Sequence, residues 1–219
     1  MYLAIDLSLY ITAIKETFFM TFVSSFISYV IGIPLGVLLY MTDKDGLTPN
    51  TPIYNALSLI VNIFRSIPFL ILLILILPVT RVLVGTTIGA RAVIPPLVFS
   101  ASPYIARMVE SSLKEVDLGV IEAAKSMGAT NFQIITKVLL SESKPSLLIG
   151  AAITITTILG YSAMAGAVGG GGLGDVAIRY GYYRYNQEIM IITVVLLVII
   201  VQLIQEVFMG MARKSDKRL

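Results

Sequence analysis

Long apolar runs that contain no charged residue constrain this chain more than any other feature. One extends from Phe18 to Thr42 and another from Pro145 to Gly174. A helix of about 20 predominantly apolar residues can cross the hydrocarbon of a bilayer, because all its backbone groups are hydrogen-bonded within the segment. Only 13% of the 219 residues are charged, against about 25% in a soluble domain. The sequence therefore predicts an all-α membrane protein with several spans.

Composition also excludes several kinds of chemistry. Cys and His are both absent, so the chain itself cannot supply thiol chemistry, a disulfide, a His-ligated metal or His acid–base catalysis. The net charge of +3 is small, so it does not predict a nucleic-acid partner. The first apolar run is too long for the core of a cleavable signal peptide.

Five spans are predicted, at about residues 17–41, 53–78, 88–108, 146–168 and 189–209. Residues 1–16 are expected to form a leader, residues 17–209 the transport domain, and residues 210–219 a basic tail. Span two is predicted to be broken at Arg65–Pro68, with Ser66 capping the second part. Span three is expected to be irregular because it contains Pro95, Pro96 and Pro103. Residues 79–90 and 166–186 are expected to be loops.

The distribution of positive charge predicts an orientation. With five spans, the C-terminus, the 43–52 loop and residues 117–140 share one side of the membrane. Ten Lys and Arg residues lie on that side against five on the other, so that side is predicted to be cytoplasmic and the N-terminus to be outside. The ten are Lys44, Arg107, Lys114, Lys125, Lys137, Lys144, Arg213, Lys214, Lys217 and Arg218; the five are Lys15, Arg81, Arg91, Arg179 and Arg184.

The most polar long segment, residues 117–140, predicts two short helices with a break between them. Asp117 is an N-cap for a helix over 118–127, and Gly128 suits the left-handed position that ends a helix. Thr130 and Gln133 have the spacing of a capping box, so a second helix is predicted from residue 131. The predicted apolar faces are Val116, Val120, Ala124 and Met127 in the first helix, and Phe132, Ile135, Thr136 and Leu139 in the second.

The same segment resembles the EAA loop of ABC-transporter permeases. The matching residues are Glu122, Ala123 and Ala124, Gly128 four positions later, and the Val138-x-Leu140 ending. The resemblance implies a coupling helix that docks into a groove of a cytoplasmic ATPase subunit, through Glu122, Ala123, Ala124, Met127, Gly128 and Phe132. Ser141 stands where the family usually has Pro, which affects how the second helix ends. The pattern by itself is equally compatible with a loop lying on the membrane surface.

A wider resemblance covers nearly the whole chain apart from its ends. The stretches 62–69 (NIFRSIPF) and 160–164 (GYSAM), together with the EAA loop, resemble the permease subunits of bacterial methionine ABC importers. This implies a type I importer fold with five helices, a homodimer, two ATPase subunits that hold ATP and Mg²⁺, and an extracytoplasmic methionine-binding protein. Membrane lipid surrounds such a protein.

The resemblance also implies a translocation path. Met164 would match the narrow gate on the dimer axis, beside Tyr161 and Ser162, with Asn62 and Arg65 along the path. Considered without the resemblance, the small residues from Gly160 to Gly166 favour ordinary helix packing. Arg65 alone favours a structural role or a position near the interface.

No nucleotide site is expected on this chain. Residues 169–174 contain G-x-G-x-x-G, but a membrane span precedes them and no βαβ pattern surrounds them. No G-x-x-x-x-G-K-[ST] occurs. ATP and Mg²⁺ would therefore belong to a partner ATPase, and the chain is not expected to be an enzyme.

The expected function is import of methionine, L- and D-, driven by ATP hydrolysis on another subunit. One alternative is an ABC permease for another small amino acid or polar solute. A second is a channel or a secondary transporter that needs no ATPase; the central spans contain no acidic residue to serve as an ion or proton site, which disfavours it. A membrane enzyme is disfavoured by the lack of a nucleophile–base pair.

Overall fold

Helices make up most of the structure, a computed structural model that describes residues 7–215. No β-strand occurs within those residues. The α-helices are α1 (Leu7–Thr42), α2 (Thr51–Ser66), α3 (Phe69–Val84), α4 (Ala90–Lys114), α5 (Leu118–Ser126), α6 (Asn131–Gln133), α7 (Leu140–Glu142), α8 (Lys144–Ala165), α9 (Gly172–Val176) and α10 (Gln187–Ser215). Two π-helical turns, Ile134–Leu139 and Ala177–Tyr182, and a 3₁₀ turn, Gly166–Val168, complete the set.

Four helical segments within residues 7–215 are long and apolar enough to cross a membrane: α1, α4, α8 with its 3₁₀ extension, and α10. Helices α2 and α3 form a fifth candidate span, because together they meet the same criteria across a short break. The prediction of five spans in an all-α membrane protein is therefore confirmed.

The break in span two lies where the sequence predicts it. Helix α2 ends at Ser66 and α3 begins at Phe69, and the two helices are bent by 107°. Pro68 lacks an N–H group and disfavours the helical conformation in Ile67 before it. The predicted cap is wrong: Pro68 precedes α3, and the Ser66 hydroxyl donates back to the Asn62 carbonyl at 2.8 Å.

Several helices extend past the bounds that were predicted for the spans. Helix α3 continues to Val84 and ends at Gly85, whose φ of 80° is the left-handed conformation that terminates a helix. Residues 7–16, assigned to a leader, form the first turns of α1, and α10 runs six residues into the predicted tail, to Ser215. Charged residues such as Lys15 and Glu16 are good helix formers, so a change in polarity does not end a helix. The remaining leader and tail residues, 1–6 and 216–219, lie outside the described residues.

Two predictions of irregular backbone are also wrong. Helix α4 runs uninterrupted through Pro95, Pro96 and Pro103, as spanning helices can when neighbouring groups satisfy the freed carbonyls. Most of the predicted 166–186 loop is helical, in the 3₁₀ turn, α9 and the second π-helical turn.

The chain divides into two compact units. Among the described residues, the first comprises 7–27, 67–100 and 155–205, and the second comprises 28–66, 101–154 and 206–215. Side chains with no exposed surface in the first unit include Met20, Leu97 and Leu173. The second unit is built on Leu39, Val61 and Ala106, against which Leu35, Tyr54 and Leu57 pack.

Glycine permits close helix contact in the second unit. A Cβ at Gly36 would lie 2.6 Å from the Ala106 carbonyl oxygen, and one at Gly32 would lie 2.6 Å from the Ile105 side chain. Helices α1 and α4 therefore approach to a distance that any larger residue at these positions would prevent.

Candidate functional site

The segment that resembles an EAA loop has the local structure that its sequence predicts. The Asp117 carboxylate accepts a hydrogen bond from the Gly119 N–H at 2.7 Å at the start of α5. Gly128 follows α5 with a φ of 80°, and Thr130 and Gln133 form a reciprocal capping box. These predictions are confirmed. The second helix differs in one respect, because Ile134–Leu139 are π-helical.

The division of this segment into buried and exposed faces differs from the prediction. The buried side chains are Ile121, Ala124, Ile134 and Leu139. Of the residues predicted to line the two apolar faces, four are exposed: Val120, Thr136, Met127 by 82% and Phe132 by 74%. The amphipathic pattern predicts two faces but cannot tell which apolar residues a neighbouring helix covers.

An exposed apolar surface therefore remains on this segment, which we call the coupling surface. It consists of Leu118, Met127 and Phe132, with Glu122 and Ala123 exposed on the same segment. Large exposed apolar side chains on a polar helical segment are typical of a surface that a partner covers. Of the six predicted coupling residues, Ala124 is buried and the other five are exposed.

A buried charged cluster lies in the second unit, at the end of α4 that leads into this segment. The Glu110 carboxylate, only 3% exposed, accepts hydrogen bonds from Arg107 Nη1 at 2.7 Å, Lys114 Nζ at 2.8 Å and the Tyr54 hydroxyl at 3.1 Å. Lys114 also forms an ion pair with Asp43 at 2.6 Å. The two positive charges of the cluster are therefore balanced by its two negative charges.

The cluster connects three segments of the second unit. Arg107 Nη2 donates to the Ser58 hydroxyl and to Asn62 Oδ1 on α2, and Asp43 directly follows α1. Burial would by itself raise the pKa of Asp43, but hydrogen bonds from Lys114 and from the Lys44 backbone N–H outweigh it and hold that pKa below its usual value. Sequence reasoning missed this cluster, although Arg107, Glu110 and Lys114 at i, i+3 and i+7 are a signal for it.

The predicted path residues Asn62 and Arg65 both lie on α2, in the second unit. Asn62 accepts from Arg107 at 3.1 Å, so it belongs to the edge of the charged cluster. The Arg65 guanidinium lies 6.0 Å from the ring centroid of Tyr104 on α4.

The predicted gate residues lie on α8, in the first unit. The Tyr161 ring stacks on Phe69 at the start of α3, with centroids 4.5 Å apart and planes 3° from parallel. The Ser162 hydroxyl is buried and donates to the Leu159 carbonyl at 2.7 Å. Met164, by contrast, is 54% exposed. The large, flexible, apolar side chain of Met164 thus lies at the surface of this unit, whereas the Ser162 hydroxyl is hydrogen-bonded within its own helix.

The glycine-rich run after α8 holds a carboxylate. The Gly172 N–H donates to the Glu16 carboxylate at 2.7 Å, and the Leu173 N–H donates to the Thr17 hydroxyl at 2.9 Å. A carboxylate at these N–H groups occupies the place that a phosphate would need, and its charge would repel one. The nucleotide interpretation of this motif is therefore excluded, and the run anchors α9 to α1.

The candidate spans, with an exposed helical segment between two of them, define a polytopic membrane protein. A family model described as the inner membrane component of binding-protein-dependent transport systems matches residues 32–219. The chain belongs to this family, and it is a multi-pass inner-membrane protein with the type I importer permease fold.

Individual relatives are similar over nearly the full length. The probable D-methionine transport system permease protein MetI of Vibrio cholerae is 51% identical, over 98% of this chain and 96% of its own length. The D-methionine transport system permease protein MetI of Escherichia coli K12 is 54% identical over 72% of this chain and 73% of its own length.

Solved structures agree with this relationship. A chain from inward-facing conformations of the MetNI methionine ABC transporter superposes with a TM-score of 0.94 at 51% identity, covering 96% of this chain and 98% of its own length. A chain of an amino acid ABC transporter with histidines shares the fold at a TM-score of 0.77 and 22% identity.

Proposed function

We propose that this chain is the permease subunit of an ATP-driven methionine importer, which moves L- and D-methionine across the bacterial inner membrane. The main support for this proposal is the similarity of the chain, at 51% identity and a TM-score of 0.94, to a chain of the MetNI methionine ABC transporter. The relatives named as D-methionine permeases extend this similarity over 98% of the sequence.

The coupling surface is the site at which a cytoplasmic ATPase subunit docks. Leu118, Met127 and Phe132 supply exposed apolar area, which a groove on the partner would bury. Glu122, Ala123 and Gly128 lie on the same segment. Two ATPase subunits, one for each permease copy, bind ATP and Mg²⁺.

A homodimer completes the pathway, because one subunit of five spans is small for enclosing a substrate path, and a twofold pair places a cavity on its axis. The exposed Met164 supports a gate at that axis, since a flexible apolar side chain and its symmetry mate can close a narrow constriction. Tyr161 and Ser162 position this part of α8, and Asn62 and Arg65 lie along the path.

Transport follows from rigid-body motion. ATP-driven closure of the ATPase pair draws the two coupling surfaces together, and the permease pair changes from an inward-facing to an outward-facing state. An extracytoplasmic methionine-binding protein then delivers substrate from outside. The positive-inside distribution supports a cytoplasmic position for the coupling surface and the C-terminus and an outside position for the N-terminus.

Uptake of labelled methionine tests the proposal. The chain is expressed with its ATPase and binding protein in cells that lack their own importer, beside a matched strain whose ATPase cannot hydrolyse ATP. Uptake that requires hydrolysis is expected. An assembled, ATP-hydrolysing complex that imports no methionine would overturn the substrate assignment, and competition by other amino acids would then identify the solute. Uptake that persists without hydrolysis would overturn the ABC class.

A further inference from the structure

An open groove of about 340 Å³ lies in the second unit, between α2, α4 and α8. This volume falls at the lower end of the range for small-ligand sites. Most of the residues that line it have polar or polarizable side chains. They are Arg65, Tyr104, Arg107, Met108, Ser111, Ser112, Glu115 and Ser146, with Ile149, Gly150 and Ile153 on the α8 side.

The two arginines of the groove differ in their partners. Arg107 is held by Glu110 and by the Ser58 and Asn62 side chains, so its charge is neutralised inside the protein. Within residues 7–215, no carboxylate forms an ion pair with Arg65, whose guanidinium lies 6.0 Å from the centroid of the Tyr104 ring. Arg65 therefore offers an exposed guanidinium to the groove.

The position of Arg65 along the spanning helices disfavours contact with lipid. Tyr104 lies ten residues before the end of the spanning helix α4, which corresponds to about 15 Å along the helix axis. A guanidinium at that depth is costly in hydrocarbon and normally faces a water-filled cavity or a partner charge. The Ser111 and Ser146 hydroxyls on the same groove also favour water over lipid.

We propose that this groove is a substrate-contact site in which Arg65 binds the α-carboxylate of the transported amino acid. The inference rests on the proposed function and adds to it the group that recognises the substrate inside the membrane domain. A planar guanidinium matches a carboxylate through two parallel hydrogen bonds. Tyr104 holds the guanidinium from one side, and the Met108 thioether offers a polarizable contact for the substrate side chain.

Glu115 also lines the groove. It directly follows α4, eleven residues after Tyr104 in the sequence, and it forms no ion pair within the described chain.

Site-specific protection tests the groove directly. The chain contains no cysteine, so Ser111→Cys introduces a single thiol at the groove, and Thr48→Cys introduces one in the 43–50 loop as a control. The full complex of permease, ATPase and binding protein, in proteoliposomes, is labelled with a charged methanethiosulfonate. Methionine should slow labelling at Ser111→Cys at least threefold and leave Thr48→Cys unchanged. Methioninol, which lacks the carboxylate, should not protect.

Variants of Arg65 test whether its guanidinium is responsible for the protection by methionine. In the Ser111→Cys background, Arg65→Gln should abolish protection and Arg65→Lys should retain part of it. In the chain without the cysteine, Arg65→Gln should raise the methionine concentration for half-maximal transport or lower uptake per ATP about tenfold. Arg81→Gln, an exposed arginine on α3, should change neither quantity.

Several outcomes would overturn the groove assignment while leaving the importer standing. These are equal protection by methionine and methioninol, protection that survives Arg65→Gln, and absence of protection in a complex that imports methionine. Disulfide-linked dimers of Ser111→Cys would also overturn it, by assigning the groove to the contact between two permease copies. Failure of the proposed function would appear separately, as absence of ATP-dependent methionine uptake by the unmodified complex.

Discussion

Glu110 accepts a hydrogen bond from Arg107 at 2.7 Å, three residues earlier on α4, and is itself almost fully buried. The carboxylate also binds Lys114, whose other partner, Asp43, follows α1. This arrangement connects three segments of the second unit to one another immediately before residues 117–140.

Replacement of Glu110 by Gln should destabilise the permease. It leaves the largely buried Arg107 and the more exposed Lys114 with Asp43 as the remaining anion of the cluster, and breaking a buried ion pair from one side costs about 3 kcal/mol. The unfolding temperature of the purified complex should fall by roughly 6–12 °C. Glu206→Gln, which removes an exposed ion pair with Arg213, is the matched control and should have little effect. Equal shifts for both variants would contradict a special role for Glu110.

Substitution of Gly128 by Ala should impair coupling more than folding. The φ of 80° at Gly128 costs a residue with a Cβ about 1–2 kcal/mol, although no atom lies near enough to clash. Uptake per ATP hydrolysed is expected to fall, while the amount of permease in the membrane changes little. Gly210→Ala, at a helical glycine that also has open space around it, serves as the control. Gly128→Asn should recover part of the activity because Asn tolerates this conformation.

The exposed side chains of the coupling surface should matter for assembly rather than for stability. Met127→Ser and Phe132→Ser remove apolar area that the partner would bury, at about 25 cal/mol per Å². We expect each variant to weaken co-purification with the ATPase at least tenfold and to leave the thermal stability of the isolated permease unchanged. Val82→Ser on α3, another highly exposed position, should leave co-purification intact. Normal ATPase binding by both coupling variants would contradict the assignment of this surface.

The stacked pair of Phe69 and Tyr161 should show direct energetic coupling. A double-mutant cycle of Phe69→Leu and Tyr161→Leu, read by thermal unfolding of the complex, should give about 0.5–1.5 kcal/mol. Additive effects of the two substitutions would show that the stacking contributes nothing beyond the burial of each ring.

A gate at Met164 should restrict passive leak. Met164→Ala shortens an exposed apolar side chain, so a constriction formed by two symmetry-related copies would widen. Proteoliposomes loaded with labelled methionine and supplied with no ATP should then release it severalfold faster than wild type. Met211→Ala, an exposed methionine on α10, provides the comparison. Unchanged leak for Met164→Ala would place the gate elsewhere.

Features set by neighbouring residues were predictable from the sequence. The Asp117 cap, the turn at Gly128 and the Thr130–Gln133 capping box each depend on groups within four residues of one another, and all three are present as predicted. The number of spans was predictable for a related reason, because the thickness of a bilayer fixes the length of apolar helix that can cross it.

Features that depend on distant residues were not predictable. Helix α3 extends into the residues that were predicted to form a loop. The hydrogen-bond partners of the glycine-rich run, Glu16 and Thr17, lie more than 150 residues earlier in the sequence. The exposure of Met127 and Phe132, the balance of charge around Glu110 and the lack of a partner carboxylate for Arg65 depend on which helices pack together.

The sequence by itself thus determined the class of the protein, its spans, its caps and its family, because hydrophobic length and local hydrogen bonding are encoded within short stretches of chain. Only the tertiary structure decided which further side chains complete the charged cluster and which arginine remains exposed to the groove. Arg107 has Glu110 three residues away on its own helix, and the packing of α2 against α4 adds Ser58 and Asn62 to its partners. The same packing brings no described carboxylate within ion-pair distance of Arg65.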